Sequence, residues 1–99
     1  MPKYPTLMTQ ETKILPTLIE GKGTVRHFLF TQLKSSKKAY LYEVKPFYGI
    51  KHWEVYRRKV NRRFNCESFP SDKSFGLWAW CFVNYNKAIK KFESLITEK

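Results

Sequence analysis

The sequence predicts an α+β domain in which a four-stranded antiparallel meander is followed by one C-terminal amphipathic helix on one face of the sheet, in the order β-β-β-β-α. Four stretches alternate their side chains with the period of two that is typical of strands, and turn-forming residues separate them. The last stretch repeats its apolar residues at helical spacing instead. One such helix covers one sheet face, so a two-layer domain is expected. With 99 residues, the chain is long enough for one core.

Residues 1–23 are predicted to form an N-terminal arm, and residues 24–99 the single β-β-β-β-α domain. Turn-forming residues interrupt the arm at Pro2, Pro5, Pro16, Gly21 and Gly23. The apolar side chains between Ile14 and Ile19 are too many for a fully solvated tail. Part of the arm is therefore expected to dock on the rest of the protein.

The four strands are predicted at residues 24–33, 39–45, 51–60 and 75–83. A loop of lysines and serines over residues 34–38 joins the first two strands as a hairpin. Pro46, Tyr48 and Gly49 turn the chain into the third strand. The Asn, Ser, Pro and Asp content of residues 61–74 predicts a loop before the fourth.

The helix is expected over residues 85–96. Asn84 stands where an N-cap belongs, because its side-chain oxygen can accept a hydrogen bond from an amide of the first turn. The apolar stripe of the helix needs a partner surface. The sheet face that bears Leu77, Ala79 and Cys81 offers small and aliphatic groups, and we expect the helix to pack there.

The two faces of the predicted sheet differ in chemistry. Alternation assigns to one face Val25, Leu29, Leu33, Leu41, Val55, Leu77, Ala79 and Cys81. It assigns to the other Arg26, Phe28, Phe30, Tyr40, Tyr42, His52, Tyr56, Arg58, Trp78, Trp80 and Phe82. Rings interleaved with guanidinium groups can stack bases and neutralise phosphates, so an open ring face would suit nucleic acid. The alternative is that the N-terminal arm or a second subunit buries these rings.

The charge balance predicts a polyanionic partner or an acidic surface. Lys and Arg number 19 against 8 Asp and Glu, which gives a formal net charge of +11. A basic run comprises Arg57, Arg58, Lys59, Arg62 and Arg63, and lysines at the hairpin tip extend it. Affinity that depends on such a run should fall with added salt. The alternative is a solvated edge whose charges prevent aggregation.

Catalytic and metal-binding signatures are not predicted. Neither His has a nucleophile or carboxylate at a spacing that marks a catalytic pair, and Asp72 is the single Asp. Cys66 and Cys81 are 15 residues apart with no Cys-x-x-Cys arrangement, so we expect reduced thiols, no metal and no cofactor. No signal peptide is predicted, and no apolar run reaches membrane-spanning length. A soluble cytoplasmic protein, or one packed in a virion, is expected.

Three segments carry a resemblance to known proteins. HWEVYRR at 52–58, SDKSFGLWAW at 71–80 and KAIKKF at 87–92 are similar to small proteins carried by phages of gut Bacteroidetes, over about residues 23–95. This similarity implies a phage origin. The layout of a sheet followed by a helix also resembles the single-stranded nucleic-acid-binding modules of the whirly and Pur type, which dimerise through such units.

These patterns predict a non-enzymatic protein that binds nucleic acid, with single-stranded DNA or RNA favoured and a homodimer possible. The predicted site comprises Arg26, Lys37, Lys38, Tyr40, Tyr42, Lys51, His52, Tyr56, Arg57, Arg58, Arg62, Arg63, Trp78 and Trp80. The alternative function is that of an assembly or host-interaction protein, whose basic and aromatic surface binds an acidic protein partner.

Overall fold

The main sheet has five antiparallel strands. In their spatial order, they are β1 (Leu18–Glu20), β2 (Leu29–Ser35), β3 (Ala39–Lys45), β4 (His52–Arg57) and β7 (Ala79–Phe82). A separate hairpin consists of β5 (Val60–Asn61) and β6 (Cys66–Glu67), and helix α1 spans Tyr85–Ile96. The computed structural model describes residues 12–98. The α+β architecture of an antiparallel meander with a C-terminal helix is confirmed, with one more strand in the sheet than predicted.

The pairing register decides which side chains share a face. Tyr40 pairs with Tyr56 across β3 and β4, and Tyr56 pairs with Ala79 across β4 and β7. Cα partners in adjacent strands point to the same side, so these three residues lie on one face. We call it the tyrosine face, and its buried members are Phe30, Tyr40, Tyr42, Val44, Tyr56 and Ala79.

The opposite side, the helix face, packs against α1. The Asn84 side chain accepts a hydrogen bond from the Lys87 amide at 3.1 Å, which confirms the predicted N-cap. From α1, the buried residues Ala88, Phe92 and Leu95 lie at helical spacing. They pack against Ala39, Leu41 and Val55 of the sheet, with Trp53, Trp80 and Phe82 at the margin. The predicted bounds of the helix are also confirmed.

The predicted docking face of the helix is wrong. Leu77 is 73% exposed, and Cys81 is also exposed. Ala79 is buried, but on the tyrosine face. Side chains alternate along a strand, so an error of one residue in the alignment assumed between β7 and the rest of the sheet assigns the side chains of β7 to the wrong faces. The aliphatic assignment holds for Leu41 and Val55, which do contact the helix layer.

The N-terminal segment supplies the extra strand. Ile19 of β1 pairs with Phe30 of β2, so the segment that was expected to dock does so by extending the sheet. The chain then turns tightly at Gly21. A Cβ at this position would lie 2.0 Å from the carbonyl oxygen of Val25, so the turn requires glycine. The predicted turn residues Pro2 and Pro5 lie outside the described residues.

Three of the predicted strands are shorter in the structure. A 3-10 turn over Gly23–Val25 delays the first of them until Leu29. The third ends at Arg57, and the β5–β6 hairpin occupies part of the predicted loop. The fourth begins only at Ala79, because a second 3-10 turn over Asp72–Ser74 is followed by Gly76 with a φ of +92°. β3 has the bounds that the sequence predicts.

Candidate functional site

The tyrosine face is covered by other parts of the chain. Phe69 makes edge-to-face contacts with Phe30 and Tyr56, at centroid distances of 5.3 and 5.9 Å. Partly buried residues from the N-terminal segment and from the loop before β7 complete the cover: Leu15, Ile19, Val25, Phe28, Phe75 and Trp78. Tyr40 is 1% exposed, and Tyr42 and Tyr56 have no exposed surface. The expectation of an open ring face is therefore wrong for these three tyrosines, which are buried within the chain partly by the N-terminal segment, as the alternative held, and partly by later loop residues.

A hydrogen-bond network centred on Glu67 closes one end of the tyrosine face. The Tyr40 hydroxyl donates to Glu67 Oε1 at 2.5 Å, and the Leu15 amide donates to the same oxygen at 2.9 Å. Arg58 Nε donates to Oε2 at 2.5 Å. Burial alone would raise the pKa of Glu67, but the hydrogen bonds from Tyr40, Leu15 and Arg58 outweigh it and lower the pKa below its usual value.

This network gives Arg58 a structural role. Its guanidinium also donates to the Ser36 carbonyl at 2.8 Å and lies 4.7 Å from the centroid of the Tyr40 ring. Only 24% of its side chain is exposed. Arg58 is thus occupied by internal partners, which leaves little of its guanidinium available to an external ligand.

The basic run begins at the end of the sheet formed by the β2–β3 turn and continues into the β5–β6 hairpin. Arg57 at the end of β4 pairs with Ala39, and the Arg58 amide donates to the Lys38 carbonyl at 2.9 Å. Lys37 and Val60 line the same cavity, of about 290 Å³, which places the β5–β6 hairpin beside the turn. We define the basic end by these exposed or half-exposed residues: Lys37, Lys38, Arg57, Lys59, Arg62 and Arg63.

Only part of this charge is compensated. Arg57 donates to the Glu98 carboxylate, with Nη2 2.8 Å from Oε2, and Lys38 donates to the Glu98 carbonyl. The hydrogen bonds between Arg57 and Glu98 stabilise both charges, so they raise the pKa of Arg57 and lower the pKa of Glu98. Within residues 12–98, the remaining cations of the basic end make no ion pair with a carboxylate.

Aromatic rings flank the basic end. Trp80 lies on the helix face between two cations, with Lys91 Nζ 4.0 Å and the Arg57 guanidinium carbon 5.8 Å from a ring centroid. Trp78 lies 5.6 Å from Lys59 Nζ and is partly buried. These two tryptophans are the predicted ring residues that keep exposed surface next to the basic end.

The structure separates the other predicted cations from this region. Lys51 lies at the opposite end of the sheet, close to the β3–β4 turn, with its Nζ 3.7 Å from Glu43 Oε2. His52 begins β4 at that same end. Arg26 precedes β2 and lines a cavity with His27 and Glu20. One continuous site that contains all the predicted residues is therefore not formed.

A second polar cluster lies on the tyrosine face, and the sequence did not reveal it. His52 Nε2 lies 2.9 Å from Glu54 Oε2, and the Tyr56 hydroxyl donates to Glu54 Oε1 at 2.5 Å. Cys81 is the cross-strand partner of Glu54. The alternation of His52, Glu54 and Tyr56 along one strand was a usable signal, but the addition of Cys81 required the register of β7.

The chemistry of this cluster does not suit a thiolate nucleophile. Partial burial, followed by the charge of Glu54, raises the pKa of the Cys81 thiol. A catalytic cysteine instead needs surroundings that stabilise the thiolate. Imidazole, carboxylate and thiol groups are, however, all able to bind transition metals.

No protein-family model, curated protein or solved structure matches the chain. None of the described helices is both long enough and apolar enough to cross a membrane.

Proposed function

We propose that this protein binds nucleic acid through its basic end, without catalysis, and that single strands are favoured. The observation that carries the proposal is the convergence of two separate segments at one end of the sheet. The β2–β3 turn carries Lys37 and Lys38, and it shares a cavity with Val60 in the segment after β4, which also carries Lys59, Arg62 and Arg63.

Phosphate groups are the ligands that this charge arrangement fits best. Each cation that contacts a phosphate releases condensed counterions, which supplies affinity without sequence preference. Lys37, Lys59, Arg62 and Arg63 are suited to this role because none of them has a carboxylate partner within residues 12–98. Their charges are therefore open to an external anion.

The partly exposed tryptophans favour single strands over duplexes. An indole ring can stack on a base only where the base is unpaired, and such stacking contributes about 1–3 kcal/mol per base. Trp78 and Trp80 lie on opposite sides of the sheet, each with a cation of the basic end beside it. The buried tyrosines have no part in this proposal.

Binding is tested by fluorescence anisotropy with a labelled single-stranded oligonucleotide and its duplex, at salt concentrations between about 50 and 200 mM. The decisive variant carries Lys37→Glu, Lys59→Glu, Arg62→Glu and Arg63→Glu. Arg58 is left unchanged, because a glutamate there would face Glu67. We expect affinity to fall at least tenfold, and the slope of log K against log salt to lose about 0.7 per lost contact on a single strand.

The matched control places the same change of charge elsewhere, at exposed lysines on other segments. It carries Lys22→Glu, Lys73→Glu, Lys87→Glu and Lys90→Glu. This control should retain most of the affinity. Equal losses in the two variants would show that only net charge matters, and the absence of binding by the parent protein at low salt would refute the proposal.

A variant that should bind more tightly than the parent provides a second test. Glu98→Gln removes the carboxylate that binds Arg57, so the variant should bind the oligonucleotide more tightly than the parent, by about twofold to tenfold. Unchanged or weaker binding would indicate that Arg57 does not contribute.

An acidic protein partner remains the alternative function, since it would use the same cations. Poly-glutamate of matched charge distinguishes the two functions, because it offers carboxylates but no bases. We expect it to compete weakly with the single strand. Equal competition would favour the acidic protein partner.

A further inference from the structure

We propose that His52, Glu54 and Cys81 form a binding site for a transition metal ion, with Zn²⁺ as the best match to their chemistry. The three side chains lie on neighbouring strands of the sheet, β4 and β7, and point to the same side. This inference is independent of nucleic-acid binding, because the site lies away from the basic end.

The distances between the donor atoms suit one ion. The imidazole nitrogen, carboxylate oxygen and Sγ all lie within 4.8 Å of one another. Zinc bonds of about 2.0–2.3 Å at tetrahedral angles place ligand atoms about 3.3–3.8 Å apart. Binding therefore requires only small side-chain rotations, and Cys81 is free to make them because β7 is an edge strand and the residue is exposed.

The hydrogen bonding around His52 points in the same direction. Its Nδ1 lies 3.4 Å from the Ile50 carbonyl oxygen, and its Nε2 lies 2.9 Å from Glu54 Oε2. Both neighbours are acceptors, whereas a neutral imidazole carries one N–H. In the tautomer with the proton on Nδ1, the lone pair of Nε2 faces the carboxylate, and both atoms can coordinate one ion in place of the hydrogen bond between them.

The surroundings supply the second layer that metal sites need. The Tyr56 hydroxyl donates to the carboxylate oxygen that His52 does not contact, at 2.5 Å, and so fixes its orientation. Glu54 also lines a cavity of about 380 Å³, together with Lys22, Asp72 and aromatic residues. Three protein ligands leave a fourth position for water, the arrangement of an open rather than a closed zinc site.

The choice of metal follows from the donor set. One nitrogen, one oxygen and one sulfur donor match a borderline-soft ion and disfavour Mg²⁺ and Ca²⁺, which prefer oxygen ligands. A thiol binds such an ion as the thiolate, so metal binding displaces the thiol proton.

The experiment is a titration of the full chain with Co²⁺ and then Zn²⁺, under reducing conditions without a chelating buffer. Cobalt reports the site directly, because a thiolate ligand gives a charge-transfer band in the near ultraviolet and tetrahedral coordination gives intense visible bands. We expect one equivalent of Co²⁺ to produce both signals, and Zn²⁺ to abolish them.

Single variants assign the ligands. Cys81→Ser should remove the charge-transfer band, and both Cys81→Ser and His52→Gln should weaken binding at least tenfold. The matched control Cys66→Ser should bind within about twofold of the parent. Circular dichroism verifies that each variant is folded, and Cys81→Ser is expected to be, since residue 81 is exposed.

Several outcomes would overturn the proposal. They are the absence of saturable binding, undiminished binding in Cys81→Ser, and loss of the charge-transfer band in Cys66→Ser instead. An ion that binds with the same affinity to all variants would be adventitious only.

Discussion

Glu67 joins parts of this chain that lie far apart in the sequence. Its carboxylate accepts hydrogen bonds from Tyr40, 27 positions before it, and from the Leu15 amide, 52 positions before it. This role was not predictable from the sequence, because a lone glutamate in a predicted loop carries no local sign of its partners. For the same reason the sequence placed Arg58 on a binding surface, although Glu67 holds this arginine within the fold.

Glu67→Gln should lower the free energy of unfolding by about 1.5–3 kcal/mol at pH 7, because a charge-assisted hydrogen bond to Arg58 is lost. The folded state lowers the pKa of Glu67, so its stabilising contribution is present above the unfolded-state value of about 4.3. The contribution disappears as the pH falls through the lower folded-state pKa. Urea unfolding of both proteins at pH 7, 5 and 3 should therefore show a difference that narrows below about pH 4. A constant difference would contradict this account.

Among the elements, helix α1 and strand β3 were predicted with the bounds that the structure has. Local signals suffice for both, because Asn84 caps the helix and a polar turn precedes β3. The phase of β7 was not predictable in the same way. Side-chain alternation assigns faces reliably within one strand. It cannot be carried across the 3-10 turn and the positive φ of Gly76 that precede β7, because these change the direction in which the next side chains point.

The candidate site shows the same limit. The sequence predicted that the basic run and the hairpin lysines would act together, and the structure places Lys37 and Arg57 at one end of the sheet. It could not predict which rings remain accessible, because burial of Tyr40 and Tyr56 depends on segments far away in the chain. The cluster of His52, Glu54 and Cys81 likewise depends on long-range register.

The docking of α1 gives a prediction at this scale. Phe92 is 4% exposed and packs on the helix face, so Phe92→Ala should lower the free energy of unfolding by about 3–5 kcal/mol. Leu77→Ala is the matched control, because residue 77 is 73% exposed, and it should change stability by less than about 0.5 kcal/mol. Equilibrium denaturation of the two variants measures both. Comparable losses would mean that the helix packs on the face that bears Leu77 after all.

At the scale of the whole molecule, the two ends of the sheet differ. The basic end concentrates positive charge, while the β3–β4 turn at the other end exposes the apolar side chains of Phe47, Tyr48 and Ile50. A formal net charge of +11 on 99 residues implies repulsion within the folded protein. That repulsion is strongest where cations lack partners.

Salt should therefore stabilise the fold. Raising NaCl from about 10 to 150 mM shortens the Debye length from about 30 to 8 Å, which screens the repulsion among Lys37, Lys59, Arg62 and Arg63. We expect the melting temperature of the parent to rise over this range. The variant with glutamate at these four positions should show a smaller rise, and a parent that is destabilised by salt would argue against repulsion as the dominant effect.

The lengths of the outermost strands have a consequence for how the protein behaves in crowded solution. The edge strands β1 and β7 have only three and four residues, so each presents few unpaired backbone groups. Long, flat borders are the templates on which foreign strands add and cross-β fibrils grow. A short edge strand offers too few backbone hydrogen bonds to hold an added strand. We accordingly expect concentrated samples to resist fibril formation, and any self-association to join side-chain surfaces rather than to continue the sheet from one molecule into the next.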